Sequence, residues 1–264
     1  MGHINAVWKI TVFFILLFIM LLIGATLKVS FAKPLRRRKI LASITSWLSR
    51  FTLRAANVKV KYQGFTNYYS PNQNYLVVAN HMGMLDILAI LAKIPSVFVT
   101  SYELKETPIV GWLTDAAGCV FVERRNRQNI QNEVQEITQA LKYGLTVTFF
   151  PEATSTPGDS ILPFKKSLFV SAVGTGVPIL PITINYKKIN GRAVDASNRD
   201  YICWYGNQSF LPALWRLMSR FSIEIELVCH SHLFIHSIDD RRYAAEESHK
   251  RIASAFLPTT TKHG

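Results

Sequence analysis

Residues 75–86 read YLVVANHMGMLD. The short apolar run Tyr75 to Ala79 reads as a strand and leads into Asn80 and His81, and Gly83 stands between His81 and Asp86. Positions five apart on one regular helix point roughly 140° apart. His81 and Asp86 therefore meet only if the histidine lies in the turn after a strand and the aspartate in the first turn of a helix. Gly83 is expected to give that turn its backbone freedom. A histidine oriented by a carboxylate is a general base for a hydroxyl or a thiol. Alone, HxxxxD is a short pattern met by chance in about one such sequence in five. A histidine bonded to a loop carbonyl is the plain structural alternative.

The arrangement recurs along the chain. VKVKY (58–62), VFVT (97–100), CVFV (119–122), LTVTFF (145–150), PILPITI (178–184) and IEIELVC (223–229) also read as strands. Ile130, Val134, Ile137 and Leu141 mark a helix from about Asn126 to Tyr143, with Gly144 as its stop. Residues 239–256 open with two aspartates and read as a terminal helix. Strands alternating with helices predict an α/β fold with a mostly parallel sheet flanked by helices. Ligands of such sheets sit beyond the carboxyl ends of strands, so the residues that follow the strands are the candidates for function.

Composition narrows the partners. The 264 residues are 49% apolar and 18% charged, which supports a sizeable core, and the formal charge of +13 favours an anionic partner. Lipid surface and phosphate-bearing ligands fit that balance. Nucleic acid rests on charge alone, because no binding motif accompanies it. Cys119, Cys203 and Cys229 show no CxxC spacing, which fits a reducing compartment with no disulfide framework or zinc site. His230 and His232 share a strand face, yet no ligand cluster joins them and His236, so no metal or other cofactor is expected. Asn207-Gln208-Ser209 matches a glycosylation sequon, which a cytoplasmic domain would not use.

The N-terminus reads as a membrane element. Residues 10–27, ITVFFILLFIMLLIGATL, are uncharged and largely apolar. At about 1.5 Å per residue they suffice to cross, or dip into, a hydrocarbon core of roughly 30 Å. Lys28, Lys33, Arg36, Arg37, Arg38 and Lys39 follow, so the positive-inside bias puts the bulk of the chain on the cytoplasmic face. A cleaved signal peptide ending near Ser30-Phe31-Ala32 is the competing reading; the weak n-region and the charge beyond it favour a retained anchor. In residues 36–53, Ile40, Leu41, Ile44, Trp47, Leu48 and Phe51 form one stripe of a basic amphipathic helix, suited to a lipid interface or to packing on the core. The division expected is an anchor over 1–28, an interfacial helix over 29–56 and a catalytic domain over 57–264.

Three further strand ends carry unusual residues. In GCVFVERRN, Arg124 and Arg125 follow a strand, where an arginine suits a phosphate or carboxylate. Cys119, inside that strand, reads as core packing rather than a nucleophile. In FFPEATST (149–156), Glu152 follows Pro151 and precedes Thr154, Ser155 and Thr156; it suits a second acid, a partner for Arg124 or a helix cap. LPFKKSLF (162–169) adds Lys165 and Lys166, and PILPITINY brings Pro181 into the next strand.

In this order the blocks resemble the lysophospholipid acyltransferase family, which includes 1-acylglycerol-3-phosphate acyltransferases. Asn80, His81, Gly83 and Asp86 match its first motif; Gly118, Phe121 and Arg124 the second; Phe150, Pro151, Glu152 and Thr154 the third; and Val177 to Pro181 the fourth. ELKETPIVGWL (103–113) resembles the stretch that usually precedes the second motif. The resemblance spans roughly residues 57–256. It implies transfer of a fatty acyl group from acyl-CoA or acyl-carrier protein to a lysolipid hydroxyl, with His81 as base and Asp86 holding its tautomer. It also implies that Arg124 and Glu152 help bind the acceptor, with Thr154, Lys165 and Lys166 as further contacts, in an enzyme bound to the bilayer.

The chain departs from the family's usual FPEGTRS at two places, with Ala153 for the glycine and Ser155 for an arginine that faces the acceptor's phosphate. Ser101 and Tyr102 stand where a lysine is usual before the EL pair. Loss of the arginine's planar fork removes bidentate phosphate recognition. Together with CWYGNQSFLPALW (203–215), the pattern looks more like the lyso-ornithine-lipid branch, whose acceptor headgroup is an amino acid. Two other classes keep some of these features. A thioesterase or lipid hydrolase would use the same His-Asp pair on water, although no GxSxG elbow is present. A non-catalytic lipid-binding protein would keep the anchor and dispense with His81.

Overall fold

The computed structural model describes residues 2–30, 33–107, 109–123 and 130–260. Among the described residues, eight strands form one sheet: β1 (Val58–Gln63), β2 (Leu76–Ala79), β3 (Val97–Ser101), β4 (Val120–Val122), β5 (Val147–Phe149), β6 (Ile179–Ile189), β7 (Arg192–Ala193) and β8 (Ile223–Cys229). Their order is β1-β8-β6-β2-β5-β3-β4, with β7 turning back on β6. Pairing is parallel except where β6 meets β8 and β7. The α/β expectation holds.

Nine α-helices accompany the strands among the described residues: α1 (Gly2–Ser30), α2 (Pro34–Ala55), α3 (Phe65–Tyr68), α4 (Met84–Lys93), α5 (Tyr102–Lys105), α6 (Val110–Ala116), α7 (Ile130–Lys142), α8 (Phe210–Met218) and α9 (Arg241–Ala255). The central strands are buried on both faces, so they read as continuous apolar runs rather than alternating ones. Val77, Ala79, Ile182, Ile184 and Leu227 face a core closed by α4 and α8. Leu76, Val78, Val147 and Phe149 face the opposite core, closed by α7 and α9.

Several boundaries differ from the sequence reading. β6 runs five residues beyond the expected end at Ile184, because it continues as the antiparallel partner of β8 through Ile189. Of the helix expected over 126–143, residues 130–142 form α7 and residues 126–129 lie outside the described residues; Gly144, at φ +86°, ends it as expected. The terminal helix begins with a single 3-10 turn, Ile238–Asp240, whose Asp240 carboxylate accepts the His236 and Ser237 N–H groups.

The two N-terminal helices pack on the body. Lys9 of α1 is buried and donates to the carbonyls of Ala56 and Arg220, each at 2.7 Å, and of Phe221 at 3.3 Å. A Cβ on Gly24 would lie 3.1 Å from Ala116 of α6, and Lys28 pairs with Asp115. By length and composition α1 is able to cross a membrane over Ala6–Ser30. In α2 the apolar stripe divides: Leu41 and Leu48 are buried, whereas Trp47 and Phe51 pack against each other with tilted rings at 54% and 42% exposure. Thr45 and Thr52, on the buried side, satisfy their hydroxyls on carbonyls one turn back, which lets a face containing polar residues enter the interior.

Candidate active site

His81 lies in the turn between β2 and α4, and Asp86 sits in the first turn of α4. The His81 Nδ1 and Asp86 Oδ2 atoms are 2.8 Å apart. That oxygen also accepts the N–H groups of Met82 (2.6 Å) and Gly83 (2.8 Å), donors that the start of a helix leaves free. The other oxygen, Oδ1, accepts the Tyr186 hydroxyl of β6 at 2.7 Å. Asp86 is fully buried with both oxygens engaged, while His81 keeps 19% of its side chain exposed.

The turn is held from several sides. Asn80 bridges β2 to β6 by donating to the Ile184 carbonyl and accepting the Ile184 N–H. Gly83 is required for a different reason than expected. Its φ of −179° is ordinary extended backbone, but a Cβ there would come within 2.6 Å of the Ile202 carbonyl oxygen. The requirement is space, because the segment from Ile202 to Trp204 crosses directly over the turn and the Trp204 N–H donates to the Met82 carbonyl.

Glu152 follows β5 and is buried beneath His81. Its Oε1 accepts the His81 N–H and its Oε2 the Leu162 N–H, each at 2.8 Å. Both oxygens are thus occupied by backbone amides, which ties the His81 turn to the loop after residue 160. Burial pushes its carboxyl up to about 7, against the pull of those two hydrogen bonds. Arg124, expected beside it, lies outside the described residues, as does Arg125.

A cavity of about 430 Å³ adjoins the pair, within the roughly 300–1,000 Å³ range of ligand clefts. His81, Phe150, Pro151, Thr154 and Lys165 line it at the strand ends. Phe13 and Leu17 of α1, Leu48 of α2, Leu88 of α4 and Leu113 of α6 give it apolar walls. Lys166 is exposed and not part of that lining. The Ser155 hydroxyl donates to the Trp204 carbonyl, and Trp204 lines the cavity. Ala153 takes the left-handed conformation (φ +62°) that a glycine would favour in its place.

The remaining motif residues shape the frame. Gly118 (φ +75°) follows α6, and its carbonyl accepts from Arg38. Phe121 packs edge-on against Tyr102, away from the cavity lining. Pro181, buried in β6 beside Val78, accepts the His230 N–H. Burial pushes the Cys119 thiol up to about 12, which removes it as a nucleophile near neutral pH. His230 bonds Thr183, and His232 bonds the Tyr68 carbonyl. Among the described residues no three His, Cys, Asp or Glu side chains cluster as a metal would require.

Sequence reasoning missed Tyr186, Phe150 as a ring partner of His81, and Trp204. Tyr186 had a signal: Leu180, Ile182, Ile184 and Tyr186 recur every second residue, so the tyrosine continues the face that packs toward α4.

Comparison with known proteins identifies the family and the fold. The acyltransferase family model matches residues 59–185. A lyso-ornithine lipid O-acyltransferase of Pseudomonas aeruginosa is 31% identical over 197 residues, covering 74% of this chain and 70% of that protein. This chain belongs to the acyltransferase family. A 1-acyl-sn-glycerol-3-phosphate acyltransferase of Neisseria gonorrhoeae is 34% identical over 156 residues. That match covers 58% of this family member and 59% of the relative's length. The crystal structure of the 1-acyl-sn-glycerophosphate acyltransferase PlsC from Thermotoga maritima aligns with a TM-score of 0.63 at 25% identity, over 96% of this chain and 97% of that one.

Proposed function

We propose that the protein is a membrane-associated O-acyltransferase that moves a fatty acyl group from an acyl thioester to a lysolipid hydroxyl. The observation that carries this reading is the His81–Asp86 pair beside an apolar cavity. With Nδ1 committed to Asp86, Nε2 is the nitrogen that takes the acceptor's proton. The resulting alkoxide attacks the thioester carbonyl, forming the ester C–O bond and breaking C–S. The imidazolium then returns the proton to the departing thiolate of acyl-CoA or acyl-carrier protein. Asp86 holds the tautomer and offsets the transient positive charge, as in a hydrolase triad without its serine. No cofactor enters this scheme.

The acceptor need not carry a phosphate monoester. Ser155, at the family's arginine position, spends its hydroxyl on the Trp204 carbonyl. Lys165 is the cation among the described lining residues, and a lone ammonium gives a point charge rather than a bidentate fork. A lyso-ornithine-type acceptor suits this site.

Bilayer association is supported by apolar residues left outward on helices that pack together. These include Trp8, Phe18 and Leu22 of α1, Trp112 of α6 and Trp215 of α8, together with Trp47 of α2. Because α1 lies along the body from Lys9 to Lys28, embedding in one leaflet fits better than an isolated span. The basic run after α1 favours a cytoplasmic face for the catalytic domain, by the positive-inside bias.

The test is an assay of detergent-purified protein with labelled acyl-CoA or acyl-carrier protein and a panel of lysolipids. Acylated lipid should form, and His81→Ala should abolish it. Free fatty acid as the main product with acceptor present would point to a hydrolase. Strong activity on 1-acylglycerol-3-phosphate with none on aminoacyl lysolipids would reject the acceptor reading.

A further inference from the structure

Three strands meet at the turn that carries His81, and β6 holds it at two points. The Ile184 backbone grips Asn80, and two residues later, on the same strand face, the Tyr186 hydroxyl reaches Asp86 Oδ1. We infer that Tyr186 is a positioning residue for proton transfer, acting through Asp86 and never touching substrate. The inference rests on the acyltransfer reading given above.

The chemistry admits one direction for this bond. An ionised carboxylate only accepts, so the phenol must donate. Tyr186 is 5% exposed, and burial together with the adjacent Asp86 carboxylate raises its own ionisation well above the usual range, so the donor proton stays in place. Oδ2 is already shared among His81 and two backbone N–H groups, while Oδ1 has the Tyr186 hydroxyl. The tyrosine therefore fixes the carboxylate's rotation and draws charge toward Oδ1, which moderates the pull on the His81 Nδ1 proton. Among the described residues, Cys203, from the segment that crosses the turn, and Glu152, from the end of β5, are further titratable groups that interact with Asp86. Burial keeps Cys203 protonated, so it adds no charge.

Replacing Tyr186 with phenylalanine keeps the ring and deletes one buried donor. A hydrogen bond to a charged form lowers the free energy of that form. Without it Asp86 carries more charge toward His81, and the imidazole becomes more basic. The acidic limb of kcat/KM against pH should therefore move to higher pH. The constant kcat should fall on the order of tenfold, with KM for donor and acceptor little changed, because a hydrogen bond to a charged group matters at the scale of about 1.5–3 kcal/mol.

The experiment measures pH–rate profiles for wild type, Y186F, D86N and the double variant Y186F/D86N in detergent micelles. Once Asp86 is an amide, Y186F should add little further loss, as expected for residues acting through one group. A second arm places 3-fluorotyrosine at position 186 alone. This more acidic phenol donates more strongly at nearly unchanged volume, so the acidic limb should move to lower pH. An unshifted profile with normal kcat in Y186F, or additive losses in the double variant, overturns the inference. If Y186F does not fold, a 3-fluorotyrosine profile equal to wild type overturns it instead. Retention of acyl transfer by H81A would defeat the underlying reading, whatever Tyr186 does.

Discussion

The ring of His81 lies flat on the ring of Phe150, with centroids 3.9 Å apart and planes 7° from parallel. Asp86 fixes the imidazole by its edge and Phe150 fixes it by its face, so the two contacts together leave the ring no free rotation. Such a ring pair is worth about 0.5–1.5 kcal/mol beyond area burial. Phe150→Leu should therefore lower kcat about three- to tenfold with little change in either KM, and Phe150→Ala should lower it more. Steady-state kinetics on both variants checks this. A rise in KM alone would mean that Phe150 only binds substrate.

Glu152 makes stability depend on pH with an unusual sign. Its carboxyl, ordinarily near 4.5, is raised to about 7 by burial. The folded state therefore holds this proton more tightly than the unfolded chain. The resulting stabilisation is fully present below pH 4.5 and is lost as pH rises through about 7. The size of the loss is on the order of 3 kcal/mol. Glu152→Gln removes the titration and also costs one of the two backbone bonds, because an amide nitrogen cannot accept. Thermal unfolding of both proteins between pH 4.5 and 8 should show wild type falling relative to the variant. A constant difference across that window would reject the assignment.

Ala153 offers a gain. In the left-handed region an L side chain costs roughly 1–2 kcal/mol, and Ala→Gly returns about 0.4–1 kcal/mol of that to the unfolded chain. Ala153→Gly should therefore stabilise the protein by roughly 0.5–1 kcal/mol with acyl transfer unchanged. Chemical denaturation reads the difference, and a lower midpoint would show that the methyl group makes contacts worth more than the strain.

Most of the His81–Asp86 pair was legible in the sequence, because a strand, a turn and an N-terminal helical aspartate are all local features. What surrounds the pair was not. The space that forbids a Cβ at Gly83 is taken by Ile202, and the amide that occupies Glu152 Oε1 belongs to His81, far away along the chain. No local pattern encodes such approaches. The helix α8 was missed for a local reason: Pro212 reads as a breaker, yet it stands in the first turn, where the absent N–H has no helical partner to lose. In α4 the run of apolar residues hides any period. The apolar stripe of α2 was visible, but its division between core and surface depends on where α1 and α4 lie.

Lys9 pins α1 where α2 and α8 end. Its ammonium bonds the Ala56 carbonyl after α2 and the Arg220 and Phe221 carbonyls after α8, near the negative ends of both helices. Lys9→Met keeps the length and strands these carbonyls. A lost hydrogen bond to a charged group costs about 1.5–3 kcal/mol, so the variant should melt at lower temperature in micelles. Since Phe13 and Leu17 of α1 line the cavity, activity on long-chain donors should fall with it. Unchanged melting would mean that α1 is held by its apolar contacts alone.

Ser49 tests the use of the cavity. It is buried on α2 and lines the cavity with Leu48 and Thr52, so a larger side chain there enters apolar space that would suit an acyl chain. Ser49→Leu should exclude the terminal methylenes of the longest accepted donor. At about 0.8 kcal/mol per methylene, losing three of them lowers kcat/KM for that donor more than tenfold. Donors short enough to end before Ser49 should react as they do with wild type, so the preferred chain length shortens while maximal rate is kept. A competition assay with donors of graded length reads this directly. An equal loss at every length would place the acyl chain elsewhere.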